Sequence, residues 1–124
     1  MSRPRILIVD DEQHILSLLS MTLRKEGYEV VSANNGPKAI QLAGVFDFDL
    51  AILDHSMPGM DGLELSSLLD PGLPLLMVTS RPQILKGLVH RIEDVIHKPF
   101  SPRELATKVN AMIGPGQPPK EQSA

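Results

Sequence analysis

Residues 50–62 read L-A-I-L-D-H-S-M-P-G-M-D-G, and this stretch decides the fold. Leu50, Ala51, Ile52 and Leu53 are apolar without a break, whereas a strand with one wet face would alternate. Both faces of the strand are therefore expected to be covered, as in a parallel sheet with helices on either side. The run ends in Asp54, which then stands at the carboxyl end of the sheet. Pro58, Gly59 and Gly62 make the following segment a tight loop, able to hold its backbone close to whatever the acid binds. An acid after a strand is also a common helix cap, so Asp54 alone decides nothing.

Three other apolar runs end in groups of the same chemical theme. Residues 6–9 precede Asp10, Asp11 and Glu12; residues 75–78 precede Thr79 and Ser80; Val95 and Ile96 precede His97 and Lys98. Between these runs the pattern turns helical. Arg5–Val9 reads as a first strand, and Ile15, Leu18, Leu19, Thr22 and Leu23 recur at helical spacing until Gly27. Glu29–Ala33 reads as a second strand, and Asn34, Asn35, Gly36 and Pro37 turn the chain into a short helix carrying Ala39, Ile40 and Ala43. Leu63, Leu65, Leu68 and Leu69 mark a third helix, ended by Pro71 and Gly72. A fourth strand follows over 75–78, then a fourth helix through Ile84, Leu85, Leu88 and Ile92, weakened by Gly87. Asp94–His97 is a short fifth strand. Ser101, Pro102 and Glu104 form a capping box that starts a fifth helix, with Leu105, Val109, Met112 and Ile113 as its buried stripe. Gly114 and Pro115 close it, and residues 114–124 have the composition of a disordered tail or linker.

Five strands alternating with five helices imply an α/β, doubly wound parallel sheet with right-handed crossovers. All carboxyl ends of its strands lie on one edge, where function belongs. Asp10, Asp11, Asp54, Thr79 and Lys98 are thus expected to converge. Three carboxylates at close quarters raise one another's pKa unless a cation intervenes. Hard oxygen donors without His or Cys suit Mg²⁺, which takes few carboxylates and retains room for phosphate oxygens. Thr79 can donate to one phosphoryl oxygen and Lys98 can neutralise another, while Asp54 is the natural nucleophile for an acyl phosphate.

Composition sets bounds on this reading. The chain has 124 residues, room for one domain, and is 42% hydrophobic but only 3% aromatic, so aliphatic side chains must build the core. Of 15 acids against 12 bases, Asp10, Asp11 and Asp54 account for the whole formal excess. Lys and Arg are not clustered, which argues against direct nucleic-acid binding by this chain. The absence of cysteine excludes disulfides and thiolate chemistry. The first apolar run is too short for a signal peptide or a membrane span, so a cytoplasmic location is expected.

With these residues in place, I-L-I-V-D-D-E (6–12), L-D-H-S-M-P-G-M-D-G (53–62), V-T-S (78–80) and K-P-F (98–100) resemble the receiver domain of two-component response regulators. The resemblance covers residues 5–113 and assigns a receiver domain to 1–113. It implies a flavodoxin-like fold with strand order 2-1-3-4-5, and transfer of a phosphoryl group from a histidine kinase or phosphotransfer protein to Asp54. It implies Mg²⁺, with Mn²⁺ as substitute, held by Asp11, Asp54 and the backbone carbonyl of Ser56, with Asp10 acting largely through water. The resemblance further implies a cis peptide between Lys98 and Pro99, self-phosphorylation from small donors, autodephosphorylation rather than turnover of a foreign substrate, and an output domain, effector or phosphorylation-dependent dimer. Two departures stand out. Val95 occupies a position, three residues before the lysine, where relatives carry Tyr or Phe, and the segment from Thr79 to Lys98 is a few residues short. Strand alternation puts His97 on the same side as Val95, as a candidate ring in place of the missing one. Arg81, two residues after Thr79, and Ser56, two after Asp54, flank the expected site.

Other functions compete with this reading. A receiver-like module that binds partners without phosphorylation fits the altered switch position but leaves five site residues unused. A small aspartate-nucleophile phosphatase needs a general acid two residues after the nucleophile, where Ser56 cannot supply the proton.

Overall fold

Apolar runs without alternation become central strands here because both faces find a helix. The computed structural model describes residues 3–85 and 92–116. Its elements in chain order are β1 (Arg5–Val9), α1 (Gln13–Lys25), β2 (Glu29–Ala33), α2 (Gly36–Ala43), β3 (Leu50–Asp54), α3 (Gly62–Leu68), β4 (Leu75–Thr79), a 3-10 turn (Pro82–Leu85), β5 (Asp94–His97) and α4 (Pro102–Ile113). The five strands are all parallel, in the order β2-β1-β3-β4-β5. Every residue of β3 and β4 is buried.

The sheet divides the core in two. On one face Ile6, Ile8, Leu50, Ile52, Val78 and Ile96 pack against Leu16, Leu19 and Leu23 of α1 and Leu105 and Val109 of α4. On the other, Leu7, Val9, Ala51, Leu53, Leu75 and Met77 pack against Ala39 of α2 and Leu65 of α3. The single tyrosine, Tyr28, is buried with the first group, and its hydroxyl donates to the Gly114 carbonyl at 2.6 Å while meeting the Asn110 side chain. That contact ties the end of α4 to the start of β2.

Some local expectations shift. The buried stripe of α1 runs through Leu16 rather than Ile15, and Leu68 is exposed, so Leu65 and Leu69 carry the burial around α3. Asn35 and Ser101 cap α2 and α4 by accepting from the third residue onward. A reciprocal capping box is made by Asp61 and Glu64 at α3. Of the five helices expected, four are α-helices among the described residues. The fourth in sequence begins instead as the 3-10 turn, and Gly87 and Leu88 lie outside the described residues. Ile92, expected on that helix, is buried just before β5 and packs with the α2–α3 side of the core.

Candidate functional site

Strand alternation sorts the site residues by face. Asp10 extends the row Ile6 and Ile8, Asp54 the row Leu50 and Ile52, and Lys98 the row that passes through Ile96. All three therefore meet at the carboxyl edge on the α1 and α4 side. Lys98 Nζ lies 3.0 Å from Asp54 Oδ1 and 3.6 Å from Asp10 Oδ2. Carboxylate atoms of Asp10, Asp11 and Asp54 fall within 4.8 Å of one another, Asp10 and Asp54 buried and Asp11 exposed. The Lys98–Pro99 peptide is cis, as the resemblance implied.

Backbone geometry fixes the acids. Asp10 accepts from the Glu12 N–H at 2.9 Å, and the Ser56 N–H bonds to the Asp54 carboxylate. Gly62, the first residue of α3, presses so closely on β3 that a Cβ there would sit 2.5 Å from the Asp54 carbonyl oxygen. Its N–H bonds to the His55 carbonyl at 3.0 Å. Here the glycine is required by close approach of two backbones, not by a left-handed φ.

Thr79 extends the row Leu75 and Met77 and so lies on the opposite face from Asp54, whose neighbour across the ladder is Val78. Its buried hydroxyl is 3.2 Å from His55 Nδ1 and accepts from the Arg81 N–H at 3.0 Å. The structure thus brings Asp10, Asp11, Asp54 and Lys98 together, and leaves Thr79 at the same edge with its hydroxyl turned to an imidazole. That imidazole was not singled out from sequence. His97, which was, is exposed at the end of β5, while Val95 packs against the core. His55 was findable, since it follows Ala51 and Leu53 on the face that Thr79 also joins. Ser56 and Arg81 are exposed, and both line an open depression together with His55, Met57, Pro58 and Asp61.

Electrostatics show what the group needs. Burial pushes Asp10 up from 3.8 to about 6, against the Glu12 N–H that favours its charged form, and the Asp54 charge raises it further. Burial likewise raises Asp54, opposed by the hydrogen bond and charge of Lys98. Burial works to lower Lys98, but the hydrogen bond it donates to Asp54 and the charge of Asp10 outweigh it and the net shift is upward. One lysine faces three acids, so the donor set fits a hard divalent cation in charge and in oxygen chemistry.

The Asp10 shift predicts a stability effect with a definite sign. A folded pKa raised above the unfolded value favours the fold fully below about 3.8, and that advantage is lost as pH rises through about 6. At pH 7 to 8 without divalent metal, the ionised Asp10 costs on the order of 3 kcal/mol. Asp10→Asn keeps the carbonyl that accepts from Glu12 and is expected to raise the melting temperature there by several degrees. The gain should shrink toward pH 4 and shrink again when Mg²⁺ stabilises the wild type, as thermal melts across pH can establish.

Comparison with known proteins agrees with this geometry. The family model for the response regulator receiver domain matches residues 6–110. The DNA-binding response regulator MtrA of Mycobacterium tuberculosis (strain ATCC 25618 / H37Rv) is 34% identical over 116 residues, which cover 90% of this chain and 51% of MtrA. The transcriptional regulatory protein ResD of Bacillus subtilis (strain 168) is 38% identical over 114 residues, covering 88% of this chain and 48% of ResD. The chain spans about half the length of the curated relatives it matches. Among solved structures, the response regulator TrrA of Thermotoga maritima, in complex with Mg²⁺-BeF, superposes with a TM-score of 0.81 at 34% identity, covering 88% of this chain and 98% of its own. The Vibrio cholerae chemotaxis protein CheY4 gives 0.80 at 30% identity, covering 90% and 99%.

Proposed function

Because the chain belongs to the receiver domain family of response regulators, the phosphoacceptor modules of two-component systems, we propose that Asp54 is its phosphoacceptor, with Asp10, Asp11, Thr79 and Lys98 completing the site. The observation that carries this assignment is the buried Asp54 carboxylate, bonded to Lys98 Nζ at 3.0 Å within a group of three acids. An ionised Asp54 oxygen attacks the donor's phosphorus, the bond from phosphorus to the leaving group breaks, its electrons leave with that group, and an acyl phosphate remains. Neutralisation of the approaching oxygens is what Mg²⁺, or Mn²⁺ in its place, supplies when held by Asp11, Asp54 and the Ser56 carbonyl, with Asp10 acting largely through water. Lys98 is placed to follow the new negative charge, and the Thr79 hydroxyl is the donor that must turn toward it.

The physiological donor in this reading is a histidine kinase or a phosphotransfer protein, acetyl phosphate and phosphoramidate serve as small donors, and the acyl phosphate is lost by autodephosphorylation. Residues 1–113 form the receiver and 114–124 a linker or tail. The names of MtrA and ResD speak of DNA binding and transcription, which supports an output domain or effector outside these residues, reached through switched contacts or a phosphorylation-dependent dimer. The location in this reading is the cytoplasm. No helix among the described residues is long and apolar enough to cross a membrane.

The metal requirement tests the chemistry. Intact-mass spectrometry of the wild type with phosphoramidate is expected to show one added phosphoryl group with Mg²⁺ or Mn²⁺ and none with excess chelator. Equal labelling in both conditions would remove the cation from the account.

A further inference from the structure

We propose that His55 is a positioning residue which latches Thr79 in the unphosphorylated conformation and so sets how readily the domain switches. The inference rests on the reading of Asp54 as phosphoacceptor. His55 is 7% exposed and Thr79 is 3% exposed, so neither side chain has bulk water as an alternative partner. Nδ1 of His55 stands 3.2 Å from the Thr79 hydroxyl, which also accepts from the Arg81 N–H at 3.0 Å. Among the described residues no buried side-chain nitrogen or oxygen lacks a partner.

Asp54 and His55 are consecutive, and the chain sends them to opposite faces of the sheet edge. Thr79 lies with His55. In the latched state Nδ1 is the acceptor and holds the hydroxyl's single proton, so to donate to a phosphoryl oxygen on Asp54 the hydroxyl must leave the imidazole. The departure leaves a buried Nδ1 without a partner, and an unmade buried hydrogen bond costs more than a made one contributes. The phosphoryl group must therefore outcompete His55 for one hydroxyl. Neither Val95 nor the exposed His97 makes a comparable contact with Thr79.

Beryllofluoride with Mg²⁺, which stands in for the phosphoryl group, gives the test by NMR on the full chain, since the protein has no Trp to report binding by fluorescence. His55→Leu keeps an apolar side chain of similar reach and makes no bond to Thr79. It is expected to lower the beryllofluoride midpoint roughly threefold to tenfold. His55→Asn returns a polar atom near the place of Nδ1 and is expected to bring the midpoint back to within about twofold of wild type. In the wild type, the His55 Nδ1 nitrogen signal is expected to shift together with the Thr79 methyl as beryllofluoride is added. That readout does not depend on any variant folding. A midpoint in His55→Leu equal to or above wild type, or a His55 signal that stays fixed while Thr79 moves, overturns the latch alone. No beryllofluoride response in the wild type sinks the phosphoacceptor reading and the latch with it.

Discussion

Asp54→Asn takes up no phosphoryl group from acetyl phosphate and Mg²⁺ under conditions that label the wild type fully. That is the expected result, read by intact-mass spectrometry. The asparagine keeps a carbonyl that can accept from Lys98 and from the Ser56 N–H, so the edge of the sheet retains its hydrogen bonds. What it loses is the ionisable oxygen that attacks phosphorus, and an amide is no substitute nucleophile. It also loses a negative charge that burial already disfavours. Its melting temperature in metal-free buffer is therefore expected to be no lower than that of the wild type, which separates lost chemistry from lost folding. Labelling of Asp54→Asn at the wild-type level would place the acceptor elsewhere.

Gly62→Ala is expected to damage both stability and labelling, through sterics alone. The added Cβ would stand 2.5 Å from the Asp54 carbonyl oxygen, 2.8 Å from Met77 Sδ and 3.1 Å from the Asp54 carbonyl carbon. Methionine sulfur can move aside, but the backbone of a central strand paired on both sides cannot do so without breaking its ladder. Overpacking of this kind costs about 1–3 kcal/mol. For a domain of this size, each kcal/mol lowers the melting temperature by about 4 °C. The relief available is for α3 to move away from β3, and because the Gly62 N–H is bonded to the His55 carbonyl this pulls on the loop beside Asp54 that carries Ser56, so phosphorylation should slow as well. Gly44→Ala is the control, since the nearest atom to its added Cβ is 3.5 Å away. A Gly62→Ala protein with the melting temperature and labelling rate of Gly44→Ala would show that the close approach is not a constraint.

The sheet was legible because each strand is an apolar run ended by a polar group, and these boundaries are set by burial, which sequence displays directly. The five strands lie within a residue of their expected ends, and the edge that gathers Asp10, Asp11, Asp54 and Lys98 follows from parallel topology. The conformation of Thr79 was not legible from that argument. Knowing that two residues share an edge does not say which face each takes; that needs the register, in which Asp54 pairs with Val78 and not with Thr79. For the same reason the sequence points to His97, two residues from Val95, whereas the ring that reaches Thr79 belongs to His55, just past the end of β3. Capping at α3 was obscured by the Pro-Gly loop before it, which reads as a site more readily than as the start of a helix. The segment after Thr79 mixes apolar residues with Gly87 and Pro82, giving a weak period that did not foresee the 3-10 turn.

The phosphoryl group is expected on the Asp54 carboxylate as an acyl phosphate, with His55, Ser56 and Thr79 close enough to be rival acceptors in any measurement of mass alone. Borohydride reduction distinguishes them, because it converts an aspartyl phosphate to homoserine and leaves phosphohistidine, phosphoserine and phosphothreonine without that product. Wild-type protein labelled by acetyl phosphate in Mg²⁺, reduced and digested, is expected to yield homoserine at position 54 in the peptide spanning residues 50–62, and none when chelator replaces the metal. A phosphoryl group retained on His55, Ser56 or Thr79, with Asp54 recovered unchanged, would contradict the account.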